Sequence, residues 1–150
     1  MKLGAILICD AARPRQDGLF DAVGAGQQVA VVDLRNRVLS RSLIVQLLAE
    51  PQDVGVERQV DIVLVTESSD VLAGMQVGVR AADRPDAPAG ALSTLSTFYF
   101  LHVSPRIEAE GTYRVAVLCD GDLLGEWPFK VAFVELPPRA VPESSGEDQS

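Results

Sequence analysis

Several residue types on which binding and catalytic sites often depend are scarce in this sequence. Its 150 residues include one histidine and two cysteines, so we do not expect a zinc site of the usual ligand composition, nor any other cofactor. No segment approaches the roughly 18 apolar residues of a membrane span, and we expect no membrane partner. The cysteines lie far apart with no CxxC motif, which predicts reduced thiols in a cytoplasmic protein.

Basic residues are also in the minority. Lys and Arg number 13 against 21 Asp and Glu, which gives a formal net charge of −8. Because nucleic-acid binding depends on Lys and Arg contacts with phosphate, this balance argues against a nucleic-acid partner. Residues 136–150 are rich in proline, serine and acids, and we predict that they form a disordered tail behind a single domain spanning residues 1–135.

Apolar residues are plentiful, and they define the fold class. They make up 47% of the chain while aromatic residues make up only 5%, so valine, leucine and alanine supply the interior. Valine-rich runs favour strands over helices. Short strand-like segments separated by turn residues predict an all-β fold, an antiparallel two-sheet β-sandwich of about seven or eight strands, immunoglobulin-like or related.

The predicted strands are short apolar runs or alternations of apolar and polar residues. They comprise residues 3–9, 28–34, 42–49, 56–66, 71–80, 92–103 and the two arms of 111–134. Between them, residues 11–18 indicate a polar turn, 19–23 a helical turn or a brief strand, and 81–90 a surface loop. The order of the strands in the sandwich is left open by the sequence.

Residues 36–50 allow two interpretations. Leu39, Leu43 and Leu47 recur every four residues, which is typical of a helix. In a strand, Leu43, Val45 and Leu47 would share one face. We predict a strand over 42–49 because the elements that follow resemble an antiparallel series.

The clearest local signal is a β-hairpin over residues 111–134. Asp120-Gly121 at its centre is typical of a type I′ turn, in which both central residues take positive φ. Pro128 cannot donate a ladder hydrogen bond, so the second arm is expected to be an edge strand, or to be bulged near Gly125 and Pro128. Tyr113 stands where immunoglobulin-like sandwiches carry a tyrosine whose hydroxyl bonds back to nearby backbone.

Both ends of the chain resemble an uncharacterised bacterial family of small all-β proteins. The similarity is carried by the opening KLGAILICDA with DGLF at 17–20, and by GTYRV, DG, LG and PFKV within 111–131. It spans roughly residues 2–134, and it implies an all-β fold but no activity. The two antibody hallmarks, a cysteine two residues after Tyr113 and a tryptophan on an earlier strand, are missing, so a looser relative of antibody domains is expected.

Three residues are candidates for nucleophilic catalysis. Cys9 and Cys119 each precede an aspartate, and His102 is the one base of the right type. A hydrolase using either thiol with His102 is the least favoured hypothesis, because buried thiols and a partly buried, hydrogen-bonded histidine are the commoner explanation. The motifs GxGxxG, GxSxG and HExxH and the Walker loop do not occur. We expect no catalytic residues and a protein that is not an enzyme.

Loop aspartates offer an alternative of a different kind. Asp120 and Asp122 flank Gly121, and Asp10 is a candidate third ligand. Clustered aspartates on sandwich loops can hold Ca²⁺, although turn chemistry alone accounts for Asp-Gly-Asp. Five early arginines could face a phosphate or an acidic partner, although a solvated face is the commoner outcome; they are Arg13, Arg15, Arg35, Arg37 and Arg41.

The function that these patterns favour is a non-enzymatic protein-binding or assembly module. Residues 71–80 form an apolar strand, and Gly74 and Gly78 leave one of its faces bare, open to a bend or a close backbone approach. The expected partner is another protein or a second copy of the chain, as in a homodimer, held through a sheet face or an exposed edge. The alternative is a β-sandwich that binds calcium or a small ligand through its loop aspartates.

Overall fold

The computed structural model describes residues 1–17, 19–82 and 95–137. Apart from a single 3-10 turn at Pro51–Asp53, the regular elements of these residues are strands, and the all-β prediction is confirmed. The ten strands are β1 Lys2–Cys9, β2 Ala11–Pro14, β3 Phe20–Val23, β4 Val29–Asp33, β5 Arg41–Ala49, β6 Glu57–Thr66, β7 Val71–Arg80, β8 Leu95–Val103, β9 Gly111–Cys119 and β10 Asp122–Val134.

The strands are arranged in three sheets. The back sheet has the order β1-β5-β8, the front sheet has the order β4-β10-β9-β6-β7, and β2 and β3 form a separate hairpin. The prediction of two sheets and seven or eight strands is therefore wrong in its counts. The prediction of purely antiparallel pairing is also wrong in one place, because β4 runs parallel to β10.

One hydrophobic core joins the back and front sheets. Inward side chains of alternate residues from both sheets belong to a single buried cluster. Fully burying an aliphatic side chain contributes roughly 1.5–3 kcal/mol, and this is the main force that holds the sheets together. The least exposed members include Ile8, Leu43, Leu47, Ile62, Leu64, Val60 and Val115.

The ambiguous segment 36–50 contains a strand, as predicted. β5 is the central strand of the back sheet and pairs antiparallel with β1 on one side and β8 on the other. Leu43 and Val45 face the core, and Ile44 on the opposite face is equally buried, at 1% exposure. Two-sided pairing and two-sided burial outweigh the helical spacing of the leucines, which is local and weak.

The hairpin β2–β3 covers the outer face of the back sheet. Residues 11–18 were predicted to be a polar turn, but Ala11–Pro14 is a strand that pairs with Phe20–Val23. Phe20 packs against Phe98 and Phe100 of β8, with ring centroids 5.2 and 5.7 Å apart. Of the two predictions for residues 19–23, the brief strand is confirmed. The hairpin lies on the face of the back sheet that carries Phe100 and its register partner Ile44.

The β9–β10 hairpin matches its prediction closely. Asp120 and Gly121 have φ of 51° and 89°, the positive values that a type I′ turn requires. The register of the two strands shifts between Leu123 and Gly125, which confirms the expected bulge. At the start of β9, the Tyr113 hydroxyl donates a 2.6 Å hydrogen bond to the Ala109 carbonyl oxygen, the backbone contact predicted for that tyrosine.

Some predictions fall outside the described residues. They concern most of the loop at 81–90, the first residues of the strand at 92–103, and nearly all of the tail at 136–150.

Candidate functional site

The candidate catalytic residues are not assembled into a reactive group. The Cys9 thiol donates to the Ser42 carbonyl oxygen at 3.3 Å. His102 lies on the other side of Ser42 in the register of the back sheet, about 10 Å from Cys9 between Cα atoms given two strand spacings. The His102 Nε2 atom instead lies 3.1 Å from the Ser104 hydroxyl. The imidazole is hydrogen-bonded as expected, but it is exposed rather than partly buried.

The two thiols lie at opposite ends of the domain. Cys9 is the last residue of β1. Cys119 precedes Asp120, and Asp120 forms an ion pair with Arg58. Arg58 also contacts Asp53, which lies beside Met1 at the start of β1. The eight residues of β1 separate these ends by about 25 Å, so the thiols are too distant for a disulfide. Burial raises the pKa of both thiols, and the adjacent aspartates raise it further. Protonated thiols are poor nucleophiles.

Asp10 is separated from the other two candidate calcium ligands, Asp120 and Asp122, in the same way. One carboxylate oxygen of Asp120 accepts the Gln59 N–H at 2.8 Å and the other accepts an Arg58 N–H at 3.0 Å. These two bonds lower the pKa of Asp120. Asp10 lies at the other end of β1, 3.7 Å from Arg41. Within residues 1–17, 19–82 and 95–137, no three His, Cys, Asp or Glu side chains are grouped closely enough to hold a metal ion.

Four of the five early arginines lie beside an aspartate carboxylate. Arg13, Arg15 and Arg35 each lie within 2.8–3.6 Å of an aspartate carboxylate, and Arg41 lies 3.7 Å from Asp10. The Arg37 guanidinium instead lies over the Phe133 ring, 5.2 Å from its centroid. An arginine whose charge is already balanced attracts a phosphate weakly, so the structure gives no support to an anion site here.

A buried ion-pair network, which the sequence did not indicate, links three parts of the fold. Asp53, at the 3-10 turn, is 1% exposed; its Oδ2 lies 2.6 Å from the Met1 ammonium and its Oδ1 lies 3.3 Å from Arg58. Burial by itself would raise the pKa of Asp53. Hydrogen bonds from the Met1 ammonium and the Glu50 N–H outweigh burial and lower the pKa. The network ties β1 and β6 to the β9–β10 turn, and we assign it a structural role.

The open edge of β7 is the candidate binding site. β7 is the last strand of the front sheet, and along its ten residues it pairs with β6 alone among the described strands. Residues Val71 to Val79 carry no charge. Natural edge strands are commonly protected by lysine, proline or a bulge. β7 has one bulge near Val71, where the register of β6 shifts between Leu64 and Val65.

The pairing with β6 decides which backbone groups of β7 are free. Gln59 of β6 exchanges hydrogen bonds with Asp120, on the β9 side, so the alternate residues Val60 and Ile62 face β7. Their partners are Val77 and Met75. Because backbone groups alternate in direction along a strand, the intervening residues of β7 turn their N–H and C=O groups to the open edge. These residues are Gly74, Gln76 and Gly78.

Glycine at positions 74 and 78 allows close approach, as predicted, but the outer face is not bare. A Cβ atom at Gly74 would lie 2.9 Å from Val63 Cγ1, and one at Gly78 would lie 3.0 Å from Glu57 Oε1. Side chains of β6 therefore lie across the strip. Between the glycines, Gln76 donates a 2.8 Å hydrogen bond to Asp61. These contacts hold β7 against β6 and leave its outer edge as the accessible part.

β10 has a shorter open edge that is better protected. The edge-strand alternative for β10 is wrong for its later half, because β4 pairs with Lys130–Val134; the earlier half has one described neighbour, β9. The Lys130 N–H donates to Gln28 on the β4 side, and Pro128, two residues earlier, turns its nitrogen to that same side. Its missing N–H therefore costs no bond to β9. Proline and the nearby bulge together discourage pairing there.

The fold is all-β, and one long strand of its front sheet, β7, has a single neighbour among the described strands. The chain belongs to DUF6941, a family of unknown function whose model matches residues 4–132. This confirms the resemblance to an uncharacterised all-β family. A search of curated proteins finds no match. None of the described helical segments is long and apolar enough to cross a membrane.

Proposed function

We propose that the chain is a non-enzymatic protein-binding or assembly module that accepts an extended strand of a partner at the open edge of β7. The single observation that carries this proposal is the ten-residue strand with backbone groups at Gly74, Gln76 and Gly78 directed away from β6. Strand addition uses such groups for affinity and neighbouring side-chain positions for specificity.

The free energies available at this edge suit specific binding whose affinity can be tuned. Each backbone hydrogen bond contributes about 0.5–1.5 kcal/mol net, and three edge-facing residues supply both donors and acceptors. Met75 and Val77 on the inner side of β7 are only partly buried against the core, so an added strand would also cover apolar surface. Both contributions come from a strand that is already ordered, so binding requires little further ordering of β7.

We further propose that the domain is an immunoglobulin-like sandwich. Taking β1, β5 and β8 as strands A, B and E, and β6, β9 and β10 as C, F and G, gives the sheet partition of that fold, with β7 added beside C. The Tyr113 hydrogen bond to Ala109 at the start of β9 supports the same assignment. Two buried, unpaired thiols support a place in the reducing cytoplasm.

Two variants at one position test the binding proposal. Gln76→Pro removes an N–H that faces the open edge, and Gln76→Ala removes the same side-chain bond to Asp61 but keeps that N–H. We expect both variants to fold, since each loses the side-chain bond to Asp61 but neither loses a backbone hydrogen bond between β6 and β7. In capture experiments with extract from the native host, proteins retained by wild type and by Gln76→Ala should be lost by Gln76→Pro. Equal retention by all three would contradict the proposal.

Calcium or small-ligand binding stays the alternative, at the turn that carries Asp120 and Asp122. It is weaker because Arg58 and Gln59 already occupy both Asp120 oxygens. Calorimetric titration with CaCl₂ decides it. We expect no heat beyond dilution, and a saturable heat that disappears in Asp122→Ala would favour the alternative instead.

A further inference from the structure

We infer that the strand accepted by β7 is β7 of a second copy, in an antiparallel, two-fold symmetric pair that fuses two front sheets into one. This inference rests on the proposed function and names its partner. The open edge of β7 offers both donors and acceptors, and an antiparallel copy presents the same set in reverse order. A two-fold contact of this kind uses one surface twice and closes without further association.

Symmetry restricts the register of such a pair. With the two-fold axis perpendicular to the sheet, residues that lie opposite each other must point to the same face. Inner residues therefore face inner residues, and edge-facing residues such as Gln76 face edge-facing residues of the second copy. One allowed register places Met75 opposite Met75 at the axis. The neighbouring registers place Gly74 or Gln76 there.

Side-chain size favours the register with Met75 at the axis. In that register the Gln76 side chain lies opposite Gly74 of the second copy, twice, so a longer side chain meets an empty position. Residues Val71 to Val79 carry no charge, so like charges do not face each other along this part of the pair.

Apolar packing also favours a second copy as the partner. Met75 and Val77 are partly buried at the rim of the core. The same two residues of a second copy would extend that apolar surface across the axis. A copy therefore matches the edge both in hydrogen bonding and in apolar surface, which an arbitrary extended peptide does only in part.

Cysteine cross-linking tests the partner and the register together. Opposed residues outside the hydrogen-bonded pairs have Cα atoms about 4.5 Å apart, within the range that a disulfide spans. Met75→Cys should therefore form a covalent dimer under mild oxidation. In the same register two Gln76→Cys residues are diagonal neighbours about 7–8 Å apart, and they should cross-link much less. Wild type is the control, because Cys9 and Cys119 are buried.

Light scattering of the wild-type chain tests for the dimer without relying on a variant. We expect the mass to rise from one chain to two with concentration, and Gln76→Pro to remain at one. Stronger cross-linking through Gln76→Cys, or a single-chain mass at every concentration, would overturn the inference. If a single-chain wild type still captures a protein that Gln76→Pro loses, the proposed function stands without the dimer; if it captures none, both fail.

Discussion

Individual side chains stabilise the ends and connections of the strands more than the sheets themselves. Tyr113 anchors the start of β9 to Ala109, and Asp53 lies between the Met1 ammonium and Arg58 at one end of the fold. The tyrosine was visible in the sequence because Gly-Thr-Tyr before a strand is a local pattern. Asp53 was not, because its partners come from distant parts of the chain.

Tyr113→Phe isolates the hydrogen bond at the tyrosine corner. The ring stays packed beside Phe129, 6.2 Å away between centroids, while the 2.6 Å bond to Ala109 is lost. We expect the free energy of unfolding to fall by about 1 kcal/mol, measured by urea denaturation. Tyr99→Phe is the matched control, since the Tyr99 hydroxyl bonds no described residue. Equal losses in the two variants would contradict this role.

Asp53→Asn tests the buried network. Removing the Asp53 charge leaves the buried Met1 ammonium with only its longer, 3.4 Å contact to Glu50 and should cost about 3 kcal/mol near neutral pH. Asp61→Asn, in the exposed hydrogen bond to Gln76, should change stability by less than about 0.5 kcal/mol. Chemical denaturation of both variants at one pH decides this. A loss at Asp53 no larger than the loss at Asp61 would show that the network adds no stability.

The network also predicts how stability depends on pH. The pKa of Asp53 is lowered on folding from its ordinary value of 3.8. A lowered pKa contributes stability that is full above 3.8 and is lost as the pH falls through the folded value. Wild type should therefore lose stability in acid more steeply than Asp53→Asn. Parallel acid limbs for the two proteins would contradict the assignment.

Among the elements, the hairpin β9–β10 and the separate existence of β6 and β7 followed from alternation and turn residues. The hairpin β2–β3 did not follow from these signals. Arg13-Pro14-Arg15 has turn composition. The hairpin contacts the back sheet through Phe20, which packs against two phenylalanines of β8. β4 was expected as a strand, but its parallel partner β10 lies about a hundred residues away in sequence, and local pattern carries no such information.

Phe20→Ala tests whether the hairpin β2–β3 is held by its aromatic contact. The ring packs on Phe98 and Phe100, and its removal should cost about 2 kcal/mol. Amide hydrogen exchange should rise across Phe20–Val23 while β5 stays protected. Leu19→Ala is the matched control, because Leu19 is 61% exposed in the same hairpin. Unchanged exchange in Phe20→Ala would mean that backbone pairing alone holds the hairpin.

For the whole molecule, an all-β domain with one core could be predicted from composition and strand spacing. The counts of strands and sheets could not, because they depend on which side chains meet across the interior. The candidate site was predicted in part: the strand over 71–80 and its glycines were identified from the sequence. That its outer edge stays unpaired among the described strands depends on sheet order, which the sequence does not encode locally.

Residue-resolved amide exchange at low and high protein concentration, repeated with any captured partner, tests the role of the β7 edge most directly. Gly74, Gln76 and Gly78 should exchange quickly in the isolated chain and become protected on association. Met75 and Val77, already bonded to β6, should change little. Protection that appears instead around Glu126 and Trp127 of β10, or association that leaves the three edge amides fast, would contradict the account.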